Sequence, residues 1–457
     1  MLEKVLVANR GEVAVRVIRA LRALGVASVA VYSEPDAGAP HARLADEAHP
    51  IGRGPAAESY LDGRALVDLA LRTGCDAVHP GYGFLSENAA FAERCAAAGL
   101  VFVGPAPDAI EAMGSKTRAR ELVARLGVPV VPGSAGAVGS ARYAREAADE
   151  IGYPVAVKAA GGGGGMGFRV AADGDELEAA LDAVREEGAR LFGDPAVYLE
   201  RYFADPRHVE VQVLADGGGG IVHLGERDCT VQRRHQKLVE EAPAPTVGAG
   251  LRARLGEQAV RIARSIGYAS AGTIEGLLVG DDFYFLEMNT RLQVEHPVTE
   301  MTTGIDLVAE QLRIASGLPL GIAQQDVRID GAAIECRINA EAAHLGFMPS
   351  PRTITAYREP SGPGVRVDSG VELGFAVPSF YDSLLAKVIV HAESREAATE
   401  RMLEALADFE LEGPDTLIPF HRHLLATPQW RRAGTARDLL GDRRWLRSTA
   451  GEPAGAR

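Results

Sequence analysis

The chain opens with an apolar run at residues 4–8, a stretch at 12–24 whose apolar positions recur every three or four residues, a glycine stop at Gly25 and a second apolar run at 27–32. Strand, amphipathic helix, strand is how a parallel sheet covered by helices begins, so the pattern predicts an α/β domain over residues 1–113. A helix at 115–126 leads into a proline-rich joint at 128–133. From there to residue 204 strands alternate with helices around a glycine tract, as in a small lid at about 131–204. Residues 209–289 read as strand-rich, and a helix at 307–315 follows, completing a second domain over 114–320. Further strands and a helix at 394–407 predict a third, α+β domain over 331–446, and the small, polar residues 447–457 read as a flexible tail. The fold class is therefore α/β and α+β, multidomain.

A chain of 457 residues, 47% of them hydrophobic, is long enough for its core to divide in this way. Its net charge of −14, with one short basic run (Arg233, Arg234, His235, Lys237), excludes a nucleic-acid or acidic-membrane footprint. Any bound anion must meet locally placed cations. Cys75, Cys95, Cys229 and Cys336 lack metal or disulfide spacing and read as reduced thiols. Glu3, Lys4, Arg10 and Glu12 break up any signal peptide, and no 18-residue apolar run occurs. A cytoplasmic address is expected.

Two segments suggest chemistry. Five glycines at 161–165, followed by Met166 and Gly167, lie between apolar runs at 154–158 and from 168, without the Lys-Ser/Thr ending of a P-loop. Their N–H groups could wrap a polyphosphate. A linker would look similar, but Lys158 ends an otherwise apolar strand, and a phosphate gives a lysine reason to sit there. The second segment, residues 273–289, reads as two strands around a turn at Gly280, Asp281 and Asp282. Folding about Asp281 sets Glu275 opposite Glu287, with Asn289 on the same face. Two carboxylates about 5 Å apart repel by about 3 kcal/mol at an effective dielectric of about 20, so the trio calls for a hard cation, Mg²⁺ or Mn²⁺. Downstream, polar residues alternate at 289, 291, 293 and 295. An extended segment would aim Arg291, Gln293 and Glu295 at the same place, where they could bind and deprotonate a small oxyanion.

Together with these segments, the strings Ala8-Asn9-Arg10-Gly11-Glu12, His79 through Asn88, Glu226-Arg227-Asp228-Cys229, Gln232 through Lys237, Glu287 through Arg291, Glu295-His296-Pro297 and Glu335 through Glu341 resemble biotin carboxylase, of the ATP-grasp superfamily, over residues 1–440. The resemblance implies a Rossmann-like N-terminal domain, an ATP-grasp domain whose lid carries the glycine loop, and a biotin carboxylase C-terminal domain. It implies ATP contacts from Lys116, Lys158, Gly163, Gly164, Glu200, His208, Gln232, His235 and Leu277, and a Mg²⁺ or Mn²⁺ group of Glu275, Glu287 and Asn289. Bicarbonate would be held by Arg291, Gln293 and the backbone at Val294 and deprotonated by Glu295. Lys237 would stabilise carboxyphosphate, Arg337 the biotin oxygen, and Tyr82, Gly83 and Phe84 would line the biotin site.

Several positions depart from the family pattern: Met166 stands for a usual Arg or Lys, Gly276 for an aromatic, Ala332 for His, Arg201 for Lys, and Thr416-Leu417 for Thr-Asn. No residue assigned to chemistry is lost. That argues against the two rival readings, another kind of ATP-grasp ligase and a degenerate nucleotide-binding regulatory subunit. With no Met-Lys-Met motif in the sequence, biotin is expected on a carrier protein, unless the chain is a piece of a longer polypeptide, with a carboxyltransferase for the second partner, and the resemblance implies a homodimer. The expected reaction is the first half-reaction of an acyl-CoA carboxylase, with acetyl-CoA as the acceptor.

Overall fold

The computed structural model describes residues 2–134, 136–159 and 167–450. Gly163, Gly164, Met166 and the end of the tail fall outside the described residues. Five parallel strands, β1 (Lys4–Val7), β2 (Ala27–Ser33), β3 (Glu47–Gly52), β4 (Ala77–His79) and β5 (Val101–Phe102), form the N-terminal sheet in the order β3-β2-β1-β4-β5. The helix Gly11–Ala23 follows β1, with Val13, Val17 and Leu21 packed against the sheet side that presents Val5 and Val7. In such a sheet a ligand binds where the strand order reverses, beyond the C-terminal strand ends. Here that point lies between β1 and β4, whose following loops carry Asn9 to Glu12 and Tyr82 to Phe84.

The lid is a separate three-stranded sheet of β6 (Val155–Ala159), β7 (Phe168–Ala171) and β8 (Val197–Arg201), with β6 in the middle. It has its own core, in which Val155, Val157 and Leu199 meet Leu177, Leu181 and Val184 of the helix Gly174–Phe192. β6 and β7 pair antiparallel, Lys158 opposite Phe168, so the glycine tract joins two paired strands as its flanks suggested.

Eight of the remaining strands make one antiparallel sheet, and four short ones pair off in two small ladders. β9 (Arg207–Ala215), β10 (Ile221–Arg233), β11 (Gln236–Ala242), β12 (Ser270–Val279) and β13 (Asp282–Asn289) continue into β14 (Ala332–Asn339), β15 (Val365–Ser369) and β16 (Leu384–Ala392), in the order β13-β12-β9-β10-β11-β14-β16-β15. The second and third regions of the sequence thus share a sheet, sewn together where Val239 to Ala242 pair with Cys336 to Ala333. Along β14, Ile334, Cys336 and Ile338 face the helix Arg395–Asp408, which adds Ala398, Met402 and Leu406. Glu335, Arg337 and Asn339 face the other way, as the two-residue period of a strand requires.

Three expectations need correction. The hairpin turn is the two-residue Gly280-Asp281, pairing Val279 with Asp282, and a bulge beside Leu286 adds back the one residue that sets Glu275 opposite Glu287. The segment after Asn289 is not extended: β13 ends there, a turn follows, and the helix His296–Thr303 begins immediately after Glu295. Within the region read as strand-rich lies a 17-residue helix, Ala249–Ser265, whose Leu251, Leu255, Ala259 and Ile262 cover Val209, Val211 and Val213. Gly256 lowers the helical propensity of that stretch, and its reason is packing, because a Cβ there would lie 2.3 Å from the His223 ring.

Gly276 has a similar explanation. A Cβ on it would fall 2.3 Å from Phe283 Cζ and 2.7 Å from the Tyr284 carbonyl oxygen, so the ring of the opposing strand fills the space an aromatic at 276 would take. Gly276→Ala is expected to cost about 1–3 kcal/mol by overpacking and to lower the thermal unfolding midpoint by a few degrees. Calorimetry showing no loss would mean that Phe283 moves aside freely.

Candidate active site

A cavity of about 2080 Å³ opens between the N-terminal sheet, the lid and the large sheet, lined by residues from all three regions. Apart from Gly163 and Gly164, which lie outside the described residues, every site residue named from the sequence lines it: Lys116, Lys158, Glu200, His208, Gln232, His235 and Leu277 in one part, Arg291, Gln293, Val294, Glu295, Lys237 and Arg337 in another, and Tyr82, Gly83 and Phe84 at the N-terminal wall. Glu275, Glu287 and Asn289 lie among them.

The deepest part is an alternation of buried charges. Arg227, wholly buried on β10, donates to Glu210 Oε1 at 2.6 Å and to Gln212 and Thr299. The other Glu210 oxygen accepts from Lys237 Nζ at 2.5 Å, and the same ammonium reaches Glu275 at 3.0 Å and Glu295 at 2.5 Å. Arg337 Nη2 donates to the second Glu295 oxygen at 2.9 Å, and its Nε to Glu240 at 2.6 Å. Burial alone would push the Glu295 carboxyl up, but Lys237, Arg337 and Arg227 outweigh it and hold the group well below the usual carboxylate range. For Glu240 burial prevails over Arg337, and its carboxyl is pushed up to about 7.

Glu275 is a second focus. Its Oε1 accepts from Lys237, from Asn289 Nδ2 at 2.6 Å and from Gln293 Nε2 at 2.5 Å, while Oε2 meets His208 at 2.8 Å. Burial acts to raise its pKa, but Lys237 and His208 dominate and keep it ionised. Glu287 stands opposite across the hairpin, with Lys116 Nζ 3.5 Å from its Oε2. Two carboxylates and an amide oxygen, with no sulfur, make a donor set suited to a hard divalent cation. Lys158 and Arg120 both pair with Glu200. The basic run is the tip of a hairpin: Arg234 and His235, with φ of +48° and +67°, connect β10 to β11 in a two-residue turn. Burial, then Lys158 and His208, lower the His235 pKa, which favours a neutral ring. Gln232 donates to the Cys229 carbonyl at 2.7 Å.

Arg291, Gln293 and Glu295 converge without an extended backbone. Arg291 donates to Asn289 Oδ1 at 2.8 Å and to Gln293 Oε1 at 2.9 Å. Its Nε is held by Glu87 of the N-terminal domain at 2.8 Å, and Glu87 also accepts from the Thr290 N–H. Lys387, buried on β16, donates to the Val294 carbonyl at 2.7 Å beside Glu12 at 3.2 Å. Glu12 takes a hydrogen bond from the Tyr82 hydroxyl, so at the N-terminal wall Phe84, stacked on Tyr60 at 5.0 Å, is the freer surface. Sequence reasoning missed Glu87, Glu210, Arg227, Glu240 and Lys387. A charged residue inside an otherwise apolar strand, the argument used for Lys158, would have found Lys387.

Family models match in order along the chain: the biotin carboxylase N-terminal domain at residues 1–110, the ATP binding domain of the carbamoyl-phosphate synthase L chain at 115–323, and the biotin carboxylase C-terminal domain at 335–442. Biotin carboxylase 1 of Bacillus subtilis is 52% identical over 427 residues, covering 93% of this chain and 95% of that protein.

The chain belongs to the biotin carboxylase family.

It is an ATP-grasp ligase with the three-domain architecture of that family. A pyruvate carboxylase subunit from Methanothermobacter thermautotrophicus is 50% identical, with 94% of this chain and 88% of that protein covered. A crystal structure of the biotin carboxylase domain dimer of Hydrogenobacter thermophilus 2-oxoglutarate carboxylase, in complex with MgADP, ADP and bicarbonate, superposes with a TM-score of 0.90 at 46% identity, covering 97% and 99% of the two chains. Among the described residues no helix is long and apolar enough to cross a membrane, and all four cysteines are buried and unpaired.

The Glu240 carboxyl predicts a pH dependence of stability. It holds its proton more tightly folded than unfolded, so the stability it contributes is fully present below about pH 4.5 and is lost as the pH rises through about 7. Denaturant unfolding of Glu240→Gln is expected to show a smaller loss between those limits than the parent chain, and a parallel pair of curves would refute it.

Proposed function

We propose that this biotin carboxylase carboxylates biotin borne on a carrier protein, using MgATP and bicarbonate, through carboxyphosphate. The observation that carries this reading is the convergence of Arg291, Gln293, Glu295, Lys237 and Arg337 on one buried point of a cavity that also holds the all-oxygen donor set. Glu275, Glu287 and Asn289 would hold the cation, which when bound would neutralise phosphate charge. Lys116, Lys158, His208, Gln232, His235 and Leu277 would surround the nucleotide, and Glu200 would release Lys158 to it. Arg291 and Gln293, with the backbone at Val294, would hold bicarbonate beside Glu295.

A bicarbonate oxygen attacks the γ-phosphorus and the bond to ADP breaks, while the bicarbonate proton passes to Glu295. In the resting site that carboxylate is a weak base, because Lys237 and Arg337 share it. When Lys237 turns to the anion forming between bicarbonate and the γ-phosphoryl group, Glu295 loses one of its two counter-charges inside a buried site, and its basicity rises; Arg337 turns to the ureido oxygen later, at the biotin step. One movement therefore supplies anion stabilisation and the base together. Carboxyphosphate then splits into carbon dioxide and phosphate. The phosphate removes the ureido N–H proton, and the nitrogen attacks carbon dioxide against the wall formed by Tyr82, Gly83 and Phe84.

We propose the reaction as the first half of an acyl-CoA carboxylase, with acetyl-CoA as acceptor, a carboxyltransferase as partner, a homodimeric assembly and a cytoplasmic location, the last in keeping with four buried cysteines that form no disulfide. The likeness to pyruvate and 2-oxoglutarate carboxylases supplies the rival acceptors. Transfer from the carboxylated carrier to acetyl-CoA but not to the two oxo acids, by their respective carboxyltransferases, is the expected outcome.

The reaction itself is tested by ADP release from MgATP with and without bicarbonate, then with free biotin. Turnover is expected to require bicarbonate and to rise with biotin; turnover indifferent to both overturns the reading. Arg337→Ala is expected to lower biotin carboxylation by about 100-fold or more, as loss of an oxyanion donor does, and bicarbonate-dependent ATP cleavage by less than about 10-fold. Equal losses would remove Arg337 from the biotin step.

A further inference from the structure

Glu335 lies beside this site and has no part in the reaction described above. It is wholly buried, and neither of its carboxylate oxygens has a hydrogen-bond partner among the described residues. Directly across the β11–β14 pairing stands Glu240, also wholly buried, whose Oε2 is likewise unpartnered while Oε1 is held by Arg337. Opposed residues of an antiparallel pair have Cβ atoms about 4.5–5.5 Å apart, within reach of two glutamate side chains. Two adjacent carboxylates in a dry interior do not both ionise.

The groups facing the pair are few. Lys387 on β16 and Arg337 on β14 are the cations, with Lys237 more remote; Glu295 is the nearby anion, Cys229 is a thiol held neutral by burial, and the Cys336 thiol, also neutral, lies on the opposite face of β14. The helix His296–Thr303 covers this face through Val298, its His296 ring kept neutral by burial and by Lys387, Arg16 and Arg366, and its Glu300 paired with Arg16 and Arg366.

We infer that Glu240 and Glu335 share one proton, and that this proton makes them a positioning pair for Arg337. The inference rests on the assignment of Arg337 to biotin. At rest the proton is on Glu335 and Glu240 carries the charge that holds Arg337. As Arg337 swings to the ureido oxygen, the O–H bond on Glu335 breaks and one forms on Glu240. The negative charge then rests on Glu335, facing Lys387, whose ammonium fixes the Val294 carbonyl. Release of Arg337 therefore leaves the buried charge beside Lys387, which also pairs with Glu12 and Asp368, and it is felt at the loop that would hold bicarbonate. Above the pH at which the pair loses its proton, both carboxylates are charged, Arg337 is held in place, and carboxylation falls.

The test has two readouts. Infrared spectra of wild-type protein with ¹³C-labelled glutamate should show a protonated buried carboxyl persisting at pH 7–8, above the ordinary carboxylate range, and lost in Glu335→Gln. Absence of that band in the wild type overturns the pairing whether or not any variant folds. In kinetics, the biotin-dependent rate should fall on the alkaline side, a fall that bicarbonate-dependent ATP cleavage without biotin lacks. Glu335→Gln, unable to give up a proton, should lose that alkaline fall and lower kcat for biotin about 10-fold with KM changed less than threefold. A purely structural role would lower the melting midpoint and leave the pH profile unchanged; that outcome overturns the inference. If Arg337→Ala spares carboxylation while the infrared band persists, the biotin assignment fails and the shared proton stands.

Discussion

The alternation of Arg227, Glu210, Lys237, Glu295, Arg337 and Glu240 across the floor of the large sheet is the constraint that most of the structure serves. Each of these groups loses water on folding, at a cost of several kcal/mol per ion, and only close opposite charges and fixed hydrogen bonds offset that. The geometry must therefore be rigid, and the rigidity comes from β-pairing. Lys237 sits on β11, Glu210 on β9 and Arg337 on β14, three strands of one continuous sheet whose other face is sealed by apolar side chains. Joining the strands after residue 331 to those before 290 is what brings Arg337 and Glu295 within 2.9 Å.

The same logic explains the N-terminal domain's contribution. Its parallel sheet has its topological switch at the cavity, so the loops after β1 and β4 meet the large sheet there. The contacts across that joint are ionic: Arg16 with Glu300 and Glu12 with Lys387 are buried, and Glu87 with Arg291 lies at the rim. Lys387 and Glu87 act on the backbone of the 290–295 turn, so a turn that lacks the regular support of a strand is held from two domains. The lid has a core of its own and reaches the cavity through Lys158 and Glu200.

Much of this was legible in the sequence. The opening β-α-β unit, the separate lid and the pairing of Glu275 with Glu287 all follow from periods of two and 3.6 residues and from turn chemistry. The hairpin shows the limit of such reading: the right pair came from a turn misplaced by half a residue, and a bulge invisible in the sequence made up the difference. The turn at 290–295 imitates strand alternation because its polar side chains converge through hydrogen bonds with one another, which no local pattern encodes. Helix Ala249–Ser265 hid behind a glycine that a distant histidine requires. Glu87 and Glu210 were beyond reach because their roles depend on partners 204 and 27 residues away.

A count of charges shows why the resting arrangement must change for chemistry to occur. Around Lys237 and Arg337 lie four carboxylates, Glu210, Glu275, Glu295 and Glu240, and within the connected set only Arg227 adds a third permanent cation. One negative charge is in excess, and a low-dielectric interior does not tolerate it unanswered. His208 lies 2.8 Å from Glu275, on the side where a divalent cation would sit; at the other end Glu240 keeps its charge against Arg337 while its neighbour Glu335 carries the proton of the pair. The excess charge thus falls at the Glu275 end, where a divalent cation would meet it, and Glu295 stays paired with Lys237 and Arg337. On the proposed reaction, a substrate anion entering that centre would compete with Glu295 for Lys237, and the weaker its hold on that cation became, the stronger a base it would be. Binding of the anion and activation of the base would in this way be the same electrostatic event.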